Sequence, residues 1–409
     1  MSRASLKSEP LVFLVRGDEG YGARRITADL IAGLLARGYR VLAFSLLEGE
    51  MTTACNRAGA ACEVLSAQSL ARPYGQGIGA RLRSQVERQR QLRALQESLN
   101  AYVARVKPGA LIVGLGDLVA AAGKAASRTG ARCLWIMHSI LSDAYPLALN
   151  KRLYRSVIAR YGLTPVANSQ FTAATLGPSV VPARVLHLGA DARQFSPDAA
   201  TPFPRAAAHI PQNAAVACIL GRLVEEKGQA RILEALALAG EAASSLHLLI
   251  CGGPMNTRFA AKLEALAQSV ALSGRVHFTG AVTDPVPYLL ASDFLISSRL
   301  TPEPFGLSII EAMLLARPVL AHGLGGPAET VSDGETGWLM GPATAEGFRD
   351  GLLRALGDRA RWPEMGAAAR ALAHQHYTLE KVLDRFEAIL EEAPQCRQGS
   401  LLTAMGAML

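Results

Sequence analysis

Short apolar runs recur along both halves of the chain, typically followed by a loop that contains glycine and then by an amphipathic stretch of ten or more residues. Continuous apolar strands that alternate with helices are typical of parallel sheets covered on both faces. The pattern therefore predicts an α/β protein with two doubly wound, parallel-sheet domains. The predicted strands are residues 11–15, 40–45, 110–114, 132–137, 164–167 and 184–188 in the first half, and residues 214–220, 246–251, 276–280, 294–297 and 318–321 in the second.

A proline-containing stretch at residues 198–212 separates the two halves. It carries Pro202, Pro204 and Pro211 among alanines, and neither a strand nor a long helix accommodates such a pattern. Open parallel sheets bind ligands beyond the carboxyl ends of their strands, so we expect the two domains to face each other across a cleft that holds the site. The expected divisions are an N-terminal domain at 1–197, a linker at 198–212, a C-terminal domain at 213–376, a helix at 377–393 that packs back on the N-terminal domain, and a tail at 394–409.

Composition narrows the class of protein. Half of the 409 residues are apolar and 19% are charged, which excludes a disordered chain. The apolar run at 11–15 is too short for a signal-peptide core or a membrane span, so a cytoplasmic protein is expected. The six cysteines are scattered without the spacing of metal ligands. We expect them to be reduced core residues, and we expect no metal site.

Positive charge is concentrated in the first half of the chain. Residues 1–200 hold 25 lysines and arginines against 13 acidic residues, whereas the remainder holds 17 against 21. Such a bias attracts an anionic partner, such as acidic lipid, a phosphorylated substrate or nucleic acid. No motif for reading bases accompanies the arginines, which disfavours nucleic acid. The arginine-rich stretch 78–106 reads as a helix, whose basic side is either a solvated face or a surface that faces an anion or a membrane.

The strongest chemical signal follows the predicted strand 294–297, where the sequence is Glu-Pro-Phe-Gly-Leu-Ser-Ile-Ile-Glu. The turn and the first helical residues are Phe305, Gly306, Leu307 and Ser308. Amides at the start of a helix point outward, and the helix dipole favours an anion there. Glu303 and Glu311 flank this predicted phosphate site, and carboxylates accept hydrogen bonds from hydroxyls. The pattern therefore suits a ligand with sugars on both sides of a diphosphate.

A second signal is the loop Gly-Arg-Leu-Val-Glu-Glu-Lys-Gly that follows the predicted strand 214–220. It begins at Gly221 and places Arg222 and Lys227 where this class of fold binds ligands. Arginine offers a planar fork of donors and lysine a point charge. Two such cations match the charge of a diphosphate.

Together these motifs resemble the retaining glycosyltransferases of family 4, whose fold is called GT-B. The E-x7-E pattern of that family is met by residues 303–311, and its G-R-L-x-x-x-K-G loop by residues 221–228. Further similarities lie at residues 323–329, 333–337, 166–169 and 188–197. The resemblance spans nearly the whole chain and is most specific in the second half.

The resemblance implies a retaining glycosyltransferase that uses a nucleoside-diphosphate sugar, needs no metal or other cofactor, and acts on a glycan or lipid-linked intermediate of cell-surface polysaccharide synthesis. The basic first half adds an anionic membrane surface, at the inner face of the membrane, as an expected further partner. The residues implied to be catalytic are His138, Glu303, Arg222 and Lys227. Those implied to bind the donor are Gly20, Gly22, Gly221, Gly252, Gly253, Val282, Phe305, Gly306, Leu307, Ser308 and Glu311.

Individual roles carry over in the same way. The cations at 222 and 227 would hold the diphosphate, Glu311 the ribose hydroxyls and Glu303 a hydroxyl of the transferred sugar. The backbone at 252, 253 and 282 would line the base, and His138 would lie near the sugar. Members of the family show no protein nucleophile, which implies that the departing diphosphate itself receives the proton of the acceptor.

The N-terminal loop departs from the pattern of the family. Relatives carry consecutive glycines followed by a Glu-Arg pair, but this chain has Gly20-Tyr-Gly22-Ala-Arg-Arg. The two glycines would still allow close approach of the donor or the acceptor. A dinucleotide-binding oxidoreductase is disfavoured because the glycine spacing is not G-x-G-x-x-G. A nucleotide-sugar epimerase and a non-catalytic sugar-nucleotide-binding module remain as alternatives.

Overall fold

A computed structural model describes residues 3–65, 78–142 and 149–397. The chain divides into two compact units. Unit 1 contains the described residues up to His187 and from Val382 onward, and unit 2 runs from Leu188 to Lys381. Unit 2 begins at Leu188, which is ten residues before the start of the predicted linker. Ala190 donates its amide to the carbonyl of Tyr377 at 3.1 Å and accepts from the amide of Leu379 at 2.9 Å, which ties this segment to unit 2.

Unit 1 is built on a parallel sheet of seven strands in the order β3-β2-β1-β4-β5-β6-β7. β1 pairs with both β2 and β4, and all five of its residues are buried. The strands are β1 (Leu11–Val15), β2 (Val41–Ser45), β3 (Ala61–Val64), β4 (Ala110–Val113), β5 (Arg132–Met137), β6 (Thr164–Ala167) and β7 (Arg184–Val185). The helices that begin in this unit are α1 (Arg3–Ser8), α2 (Tyr21–Ala36), α3 (Glu50–Arg57), α4 (Ile78–Val106), α5 (Val119–Thr129), α6 (Leu149–Tyr161) and α7 (Gln170–Leu176).

Unit 2 is built on a parallel sheet of six strands in the order β10-β9-β8-β11-β12-β13. Its strands are β8 (Ala215–Leu220), β9 (Leu246–Cys251), β10 (Val276–Gly280), β11 (Phe294–Ser297), β12 (Val319–His322) and β13 (Gly337–Met340). Its helices are α8 (Gln229–Ala239), α9 (Arg258–Ala267), α10 (Val286–Ala291), α11 (Leu307–Leu314), α12 (Pro327–Thr330), α13 (Ala345–Gly357) and α14 (Trp362–His376), and α15 (Leu379–Glu392) begins in unit 2 and continues into unit 1.

The prediction of two parallel-sheet units is confirmed, and every predicted strand is present. Their ends differ by at most one residue, except that β7 stops at Val185 instead of residue 188. β3 and β13 were not predicted. The central strands β1, β4, β5 and β9 are buried at every position, as expected for sheets covered on both faces. Each unit has its own apolar core around its sheet.

Helix α15 packs against α2 within unit 1. The end of the Leu383 side chain occupies the space that a side chain at Gly33 would need, so the two helices are in direct contact there. Arg37 at the end of α2 pairs with Asp384 at 2.9 Å and with the buried Glu387 at 3.1 Å. Helix α15 thereby covers α2 on the surface of unit 1.

The six cysteines are free thiols, and five of them are buried. Within the described ranges, no helix is long and apolar enough to cross a bilayer. The same part of the chain holds no cluster of three or more histidine, cysteine or acidic side chains arranged to bind a metal ion.

Candidate functional site

In unit 2 the chain order reverses at the centre of the sheet. β8 leads to β9 on one side, whereas β11, β12 and β13 follow on the other. A crevice forms outside the carboxyl ends of parallel strands at such a switch point, and ligands of open α/β sheets bind there. The loops after β8 and β11 border this crevice. They carry the residues that the sequence singled out.

The loop after β8 lies unusually close to the neighbouring backbone. A Cβ on Gly252, just after β9, would lie 1.8 Å from the carbonyl oxygen of Gly221. A Cβ on Gly228 would lie 2.0 Å from the carbonyl oxygen of Ser298, and Gly228 has a φ of +75°. Any other residue at either position would force the backbone apart. These two glycines therefore hold the loop against the ends of β9 and β11.

The centre of the candidate site is an ion pair between Lys227 and Glu303. The Lys227 Nζ lies 2.8 Å from the Glu303 Oε2, with 26% and 12% of the two side chains exposed. The backbone of Glu303 is fixed as well, because its amide donates to the carbonyl of Leu324 at 3.1 Å and its carbonyl accepts from Gly326 at 2.8 Å. The pair joins the loop after β8 to the loop after β11.

Arg299 is a third charged residue of this cluster, and no motif in the sequence marked it. Its Nη1 lies 3.8 Å from the Glu303 Oε2, and its Nη2 lies 3.5 Å from the Oε2 of Glu226. Its Nε donates to the Thr301 hydroxyl at 3.0 Å, and its carbonyl accepts from His322 at 2.7 Å. Only 19% of the side chain is exposed. Arg299 thus provides a second cation beside the Glu303 carboxylate.

Arg222 lies farther out on the same loop. Two thirds of its side chain is exposed, and its Nη2 lies 3.9 Å from the Glu226 Oε1. Its backbone is held by Gln229, whose side-chain amide donates to the Arg222 carbonyl at 2.8 Å. The structure therefore places Arg222 on the predicted loop, with its guanidinium directed to Glu226 and to solvent.

The start of α11 has the geometry that the sequence indicated. Gly306 precedes the helix with a φ of +90°, Leu307 is its first residue, and the Ile309 amide donates back to Gly306 at 2.9 Å. Phe305 is buried, with its ring edge-on to Tyr377 at a centroid distance of 6.1 Å. This packing fixes the turn that presents Leu307 and Ser308. Glu311, one turn deeper, is buried.

The residues predicted to line a base lie at the ends of β9 and β10. A Cβ on Gly253 would lie 3.2 Å from the side chain of Ala281, so the two strand ends are in contact. Val282 borders a hollow of about 520 Å³. Phe203 and Tyr288 also line this hollow, and their rings stack with centroids 5.0 Å apart.

In unit 1 the corresponding switch point lies between β1 and β4. His138 follows β5 and lines a small enclosed hollow of about 20 Å³ with Gly114 and Glu19. Burial lowers the pKa of His138 to about 4, so its ring is neutral at pH 7. Sequence analysis missed Glu19, whose carboxylate accepts from the amides of Arg16 at 2.6 Å and Gly17 at 2.9 Å. The one signal for it was a carboxylate among the glycines after a buried strand.

The two glycines of the N-terminal loop have room around them. Gly20 precedes α2, and Gly22 lies in its first turn. A Cβ on either would have no neighbour within 4 Å. The fold itself therefore does not require glycine at these positions, and their predicted role in ligand approach stays a prediction.

Comparison with known proteins places the chain in a family. Residues 202–372, all within unit 2, match the family model for glycosyl transferases group 1. A GDP-mannose-dependent alpha-(1-6)-phosphatidylinositol monomannoside mannosyltransferase of Mycobacterium tuberculosis is 30% identical over 298 residues, which cover 69% of this chain and 73% of that protein. The chain belongs to the group 1 glycosyl transferases. The predicted glycosyltransferase family is confirmed, and retention of configuration stays a prediction.

This group 1 glycosyl transferase also resembles the lipopolysaccharide core biosynthesis glycosyltransferase LpsE of Rhizobium meliloti, with 29% identity over 46% of the chain. The match spans about half, 54%, of the length of LpsE. Among solved structures, a glycosyltransferase from Rickettsia africae superposes with a TM-score of 0.79 at 18% identity, covering 94% of this chain and 98% of that one. Anabaena HepE in complex with UDP and glucose gives 0.76 at 20% identity, covering 93% and 99%. The predicted GT-B fold is confirmed.

Proposed function

We propose that the protein is a retaining glycosyltransferase that moves a sugar from a nucleoside-diphosphate donor to an acceptor. The observation that carries the proposal is the meeting of Lys227 and Glu303 at the switch point of unit 2, 2.8 Å apart, beside the start of α11. A cation and a helix start attract a diphosphate, and a carboxylate accepts from sugar hydroxyls. The family of the chain and its likeness to HepE, solved with UDP and glucose, support this proposal.

In the proposed reaction, the bond between the anomeric carbon and the donor phosphate breaks as the acceptor oxygen forms its bond on the same face of the sugar. The acceptor proton passes to the departing diphosphate. Negative charge grows on that leaving group, and Lys227, Arg222 and the first amides of α11 stabilise it. These groups supply positive charge at the leaving phosphate, so the proposal includes no metal. The role carried over to His138, near the transferred sugar, stays a prediction.

The acceptor we propose is a glycan or a lipid-linked intermediate of cell-surface polysaccharide synthesis. Two relatives point in this direction by their names, which are those of a lipopolysaccharide core glycosyltransferase and a phosphatidylinositol monomannoside mannosyltransferase. The excess of basic residues in the first 200 positions fits an acceptor that carries phosphate or lies at an anionic surface.

The test combines a donor screen with one variant. Purified protein is incubated with a panel of UDP- and GDP-sugars, and release of nucleoside diphosphate is followed with and without candidate acceptors. Arg222→Ala is expected to lower turnover by about a hundredfold to a thousandfold, because it removes a positive charge that stabilises the leaving diphosphate. Arg349→Ala is the matched control, since that arginine of α13 pairs with the adjacent Asp350. Equal turnover in the two variants, or a donor converted to another sugar nucleotide without release, would contradict the proposal.

A further inference from the structure

Two cysteines of unit 1 lie on neighbouring elements, helix α3 and the edge strand β3. Cys55 belongs to the buried side of α3. Successive side chains of a strand point to opposite faces of the sheet. Glu63 of β3 pairs with Arg105 of α4 on one face, so the adjacent Cys62 points to the other. The Cys55 and Cys62 side chains meet there in a hydrogen bond.

The short connection between α3 and β3 holds this pair in place. The Ala60 amide donates to the Cys55 carbonyl at 3.0 Å, and the Cys62 amide donates to the Asn56 Oδ1 at 3.3 Å. Gly59 lies between them with a φ of +98°, which allows the chain to turn sharply after the helix. The backbone at both cysteines is therefore fixed by hydrogen bonds of the connection itself.

The other four cysteines form two similar pairs, and both pairs are closed to solvent. Cys133 is hydrogen-bonded to Cys396, and the Cys218 Sγ lies 3.9 Å from the Cys251 Sγ. All four are buried, whereas Cys62 is partly exposed. The register of β8 and β9 places Cys218 and Cys251 diagonally instead of opposite each other, which separates their backbones by more than a disulfide usually spans. Cys62 is therefore the cysteine that a small oxidant in solution can reach.

The hydrogen bond between Cys55 and Cys62 affects the two sulfurs in opposite ways. It lowers the pKa of Cys62 and raises the pKa of Cys55, because the Cys55 thiol donates to the Cys62 sulfur. The thiolate is the reactive form of cysteine. The partly exposed sulfur is thus the nucleophile, and the buried one remains a thiol in contact with it. Cysteines that respond to oxidants ordinarily combine an accessible thiolate with such a second thiol.

We propose that Cys55 and Cys62 form a peroxide-sensitive pair that is converted reversibly from two thiols to a disulfide. In the first step the Cys62 thiolate attacks hydrogen peroxide, the O–O bond breaks, Cys62 becomes a sulfenic acid and hydroxide leaves. In the second step the Cys55 sulfur attacks the Cys62 sulfur, the S–O bond breaks, and the departing hydroxide takes the Cys55 proton as water. Two thiols and one peroxide thus give one disulfide and two water molecules. A dithiol reductant reverses the reaction by thiol–disulfide exchange.

The thiol pair lies on the helix that supports the loop after β1. The Met51 amide in the first turn of α3 donates to the Gly17 carbonyl at 3.0 Å, and a Cβ on Gly49 would lie 2.5 Å from the same oxygen. The Glu19 carboxylate of that loop interacts electrostatically with both cysteines. The disulfide would join α3 covalently to β3 and so restrain the support of the loop that leads to Gly20. A consequence for ligand approach rests on the proposed function, whereas formation of the disulfide does not.

The test is oxidation of the full chain with hydrogen peroxide under native conditions at neutral pH. Remaining thiols are blocked with iodoacetamide, and the peptides are identified by mass spectrometry after tryptic digestion. Cleavage after Arg57 separates the two cysteines, so the disulfide appears as a crosslinked pair of peptides. Two of the six thiols should be lost in the parent and recovered with dithiothreitol. Cys251→Ser is the matched control, because it removes one member of a buried pair and should form the same crosslink.

Two variants separate the steps of the reaction. Cys55→Ala should leave Cys62 as a sulfenic acid that dimedone traps, because no second thiol is present to resolve it. The same variant should slow the alkylation of Cys62 at neutral pH by about threefold to tenfold, because the hydrogen bond to the thiolate is lost. Cys62→Ala should keep its five remaining thiols through the peroxide treatment, since all of them are buried.

Three outcomes would overturn the proposal: no crosslinked peptides in the parent, oxidation of the two buried pairs to the same extent, or equal loss of thiols in Cys62→Ala and in the parent. Circular dichroism verifies that each variant is folded. The crosslink in the parent needs no substitution, so the first outcome stays decisive even where a variant fails to fold.

Discussion

Replacing Glu303 by glutamine should strengthen the binding of a nucleoside diphosphate while it weakens sugar transfer. The Lys227 ammonium lies 2.8 Å from the Glu303 carboxylate. A phosphate that binds the same ammonium would have an oxygen about 3 Å from Nζ, and hence about 5 to 6 Å from the carboxylate. The carboxylate therefore repels the ligand that its partner attracts. Glu303→Gln removes this repulsion and leaves the shape of the side chain unchanged.

The size of the effect follows from these distances. Two unit charges 5.5 Å apart repel by about 0.8 kcal/mol in water and about 3 kcal/mol at an effective dielectric constant of 20. The Lys227 side chain is 26% exposed, so screening keeps the value in the lower part of this range. We expect a gain of about 1 to 2 kcal/mol, which is roughly five- to thirtyfold in affinity. Turnover should fall about a hundredfold, because a neutral amide oxygen replaces the charged acceptor that is proposed for a hydroxyl of the transferred sugar.

Titration calorimetry with UDP and GDP measures the affinity, and release of nucleoside diphosphate from the donor measures turnover. Glu241→Gln is the control, since this exposed glutamate lies after the end of α8, toward the opposite edge of the sheet. Thermal denaturation verifies folding. If Glu303→Gln binds the nucleoside diphosphates no better than the parent, Lys227 does not bind the diphosphate, and the proposed placement of the diphosphate beside Glu303 is refuted.

Four further substitutions, two in each unit, test the backbone packing, the buried histidine and the charged cluster. Gly252→Ala should destabilise unit 2 by about 1 to 3 kcal/mol in chemical denaturation, because its Cβ would lie 1.8 Å from the Gly221 carbonyl oxygen. Gly22→Ala should instead stabilise unit 1 by about 0.5 to 1 kcal/mol, because alanine favours the helix and its Cβ would have no neighbour within 4 Å. Burial lowers the pKa of His138 to about 4, so between pH ~6.5 and 4 the unfolded chain takes up a proton that the folded chain does not. The contribution of His138 to stability is therefore complete above pH ~6.5 and is lost as the pH falls toward 4. The free energy of unfolding of His138→Asn should accordingly decline less steeply below pH ~6.5 than that of the parent. Arg299→Gln should lower the affinity for UDP or GDP by about threefold to tenfold, because Glu303 without its second cation holds Lys227 more tightly. It should also lower kcat by tenfold or more, because Glu303 is no longer held in position. A matching loss in Arg349→Gln would show that the effect is unspecific.

Much of the fold could be predicted from the sequence because the central strands are continuous apolar runs. The two missed strands lack that signal. β3 is an edge strand whose residues alternate between exposed and half-buried, and it includes Glu63. β13 begins at Gly337 and has only three apolar residues, of which Trp338 and Met340 are buried. Edge strands of this kind form because a neighbouring strand offers hydrogen bonds, a long-range cause that local periodicity does not record.

The candidate site shows the same division between local and distant causes. The loop at 221–228 and the start of α11 were predictable, since both follow buried strands and both carry recognisable motifs. The pairing of Lys227 with Glu303 depends on β8 and β11 being neighbours, which strand order alone decides. Arg299 gave no signal because its contact with Glu226 crosses from one loop to another, and its contacts with Thr301 and Glu303 depend on how the loop after β11 folds.

The charges of the cluster also indicate how Glu303 remains ionised. Burial of a carboxylate that is 12% exposed is unfavourable without a partner, and Lys227 supplies that partner at 2.8 Å. A diphosphate that binds Lys227 would deprive Glu303 of this partner. Arg299 would then remain as its counterion, because its Nη1 lies 3.8 Å from the same oxygen. The second cation therefore permits the ion pair to separate while Glu303 stays ionised and in place to accept from a sugar hydroxyl. A free sugar has no charge with which to draw Lys227 away, so the cluster by itself favours a ligand in which sugar and phosphate are joined.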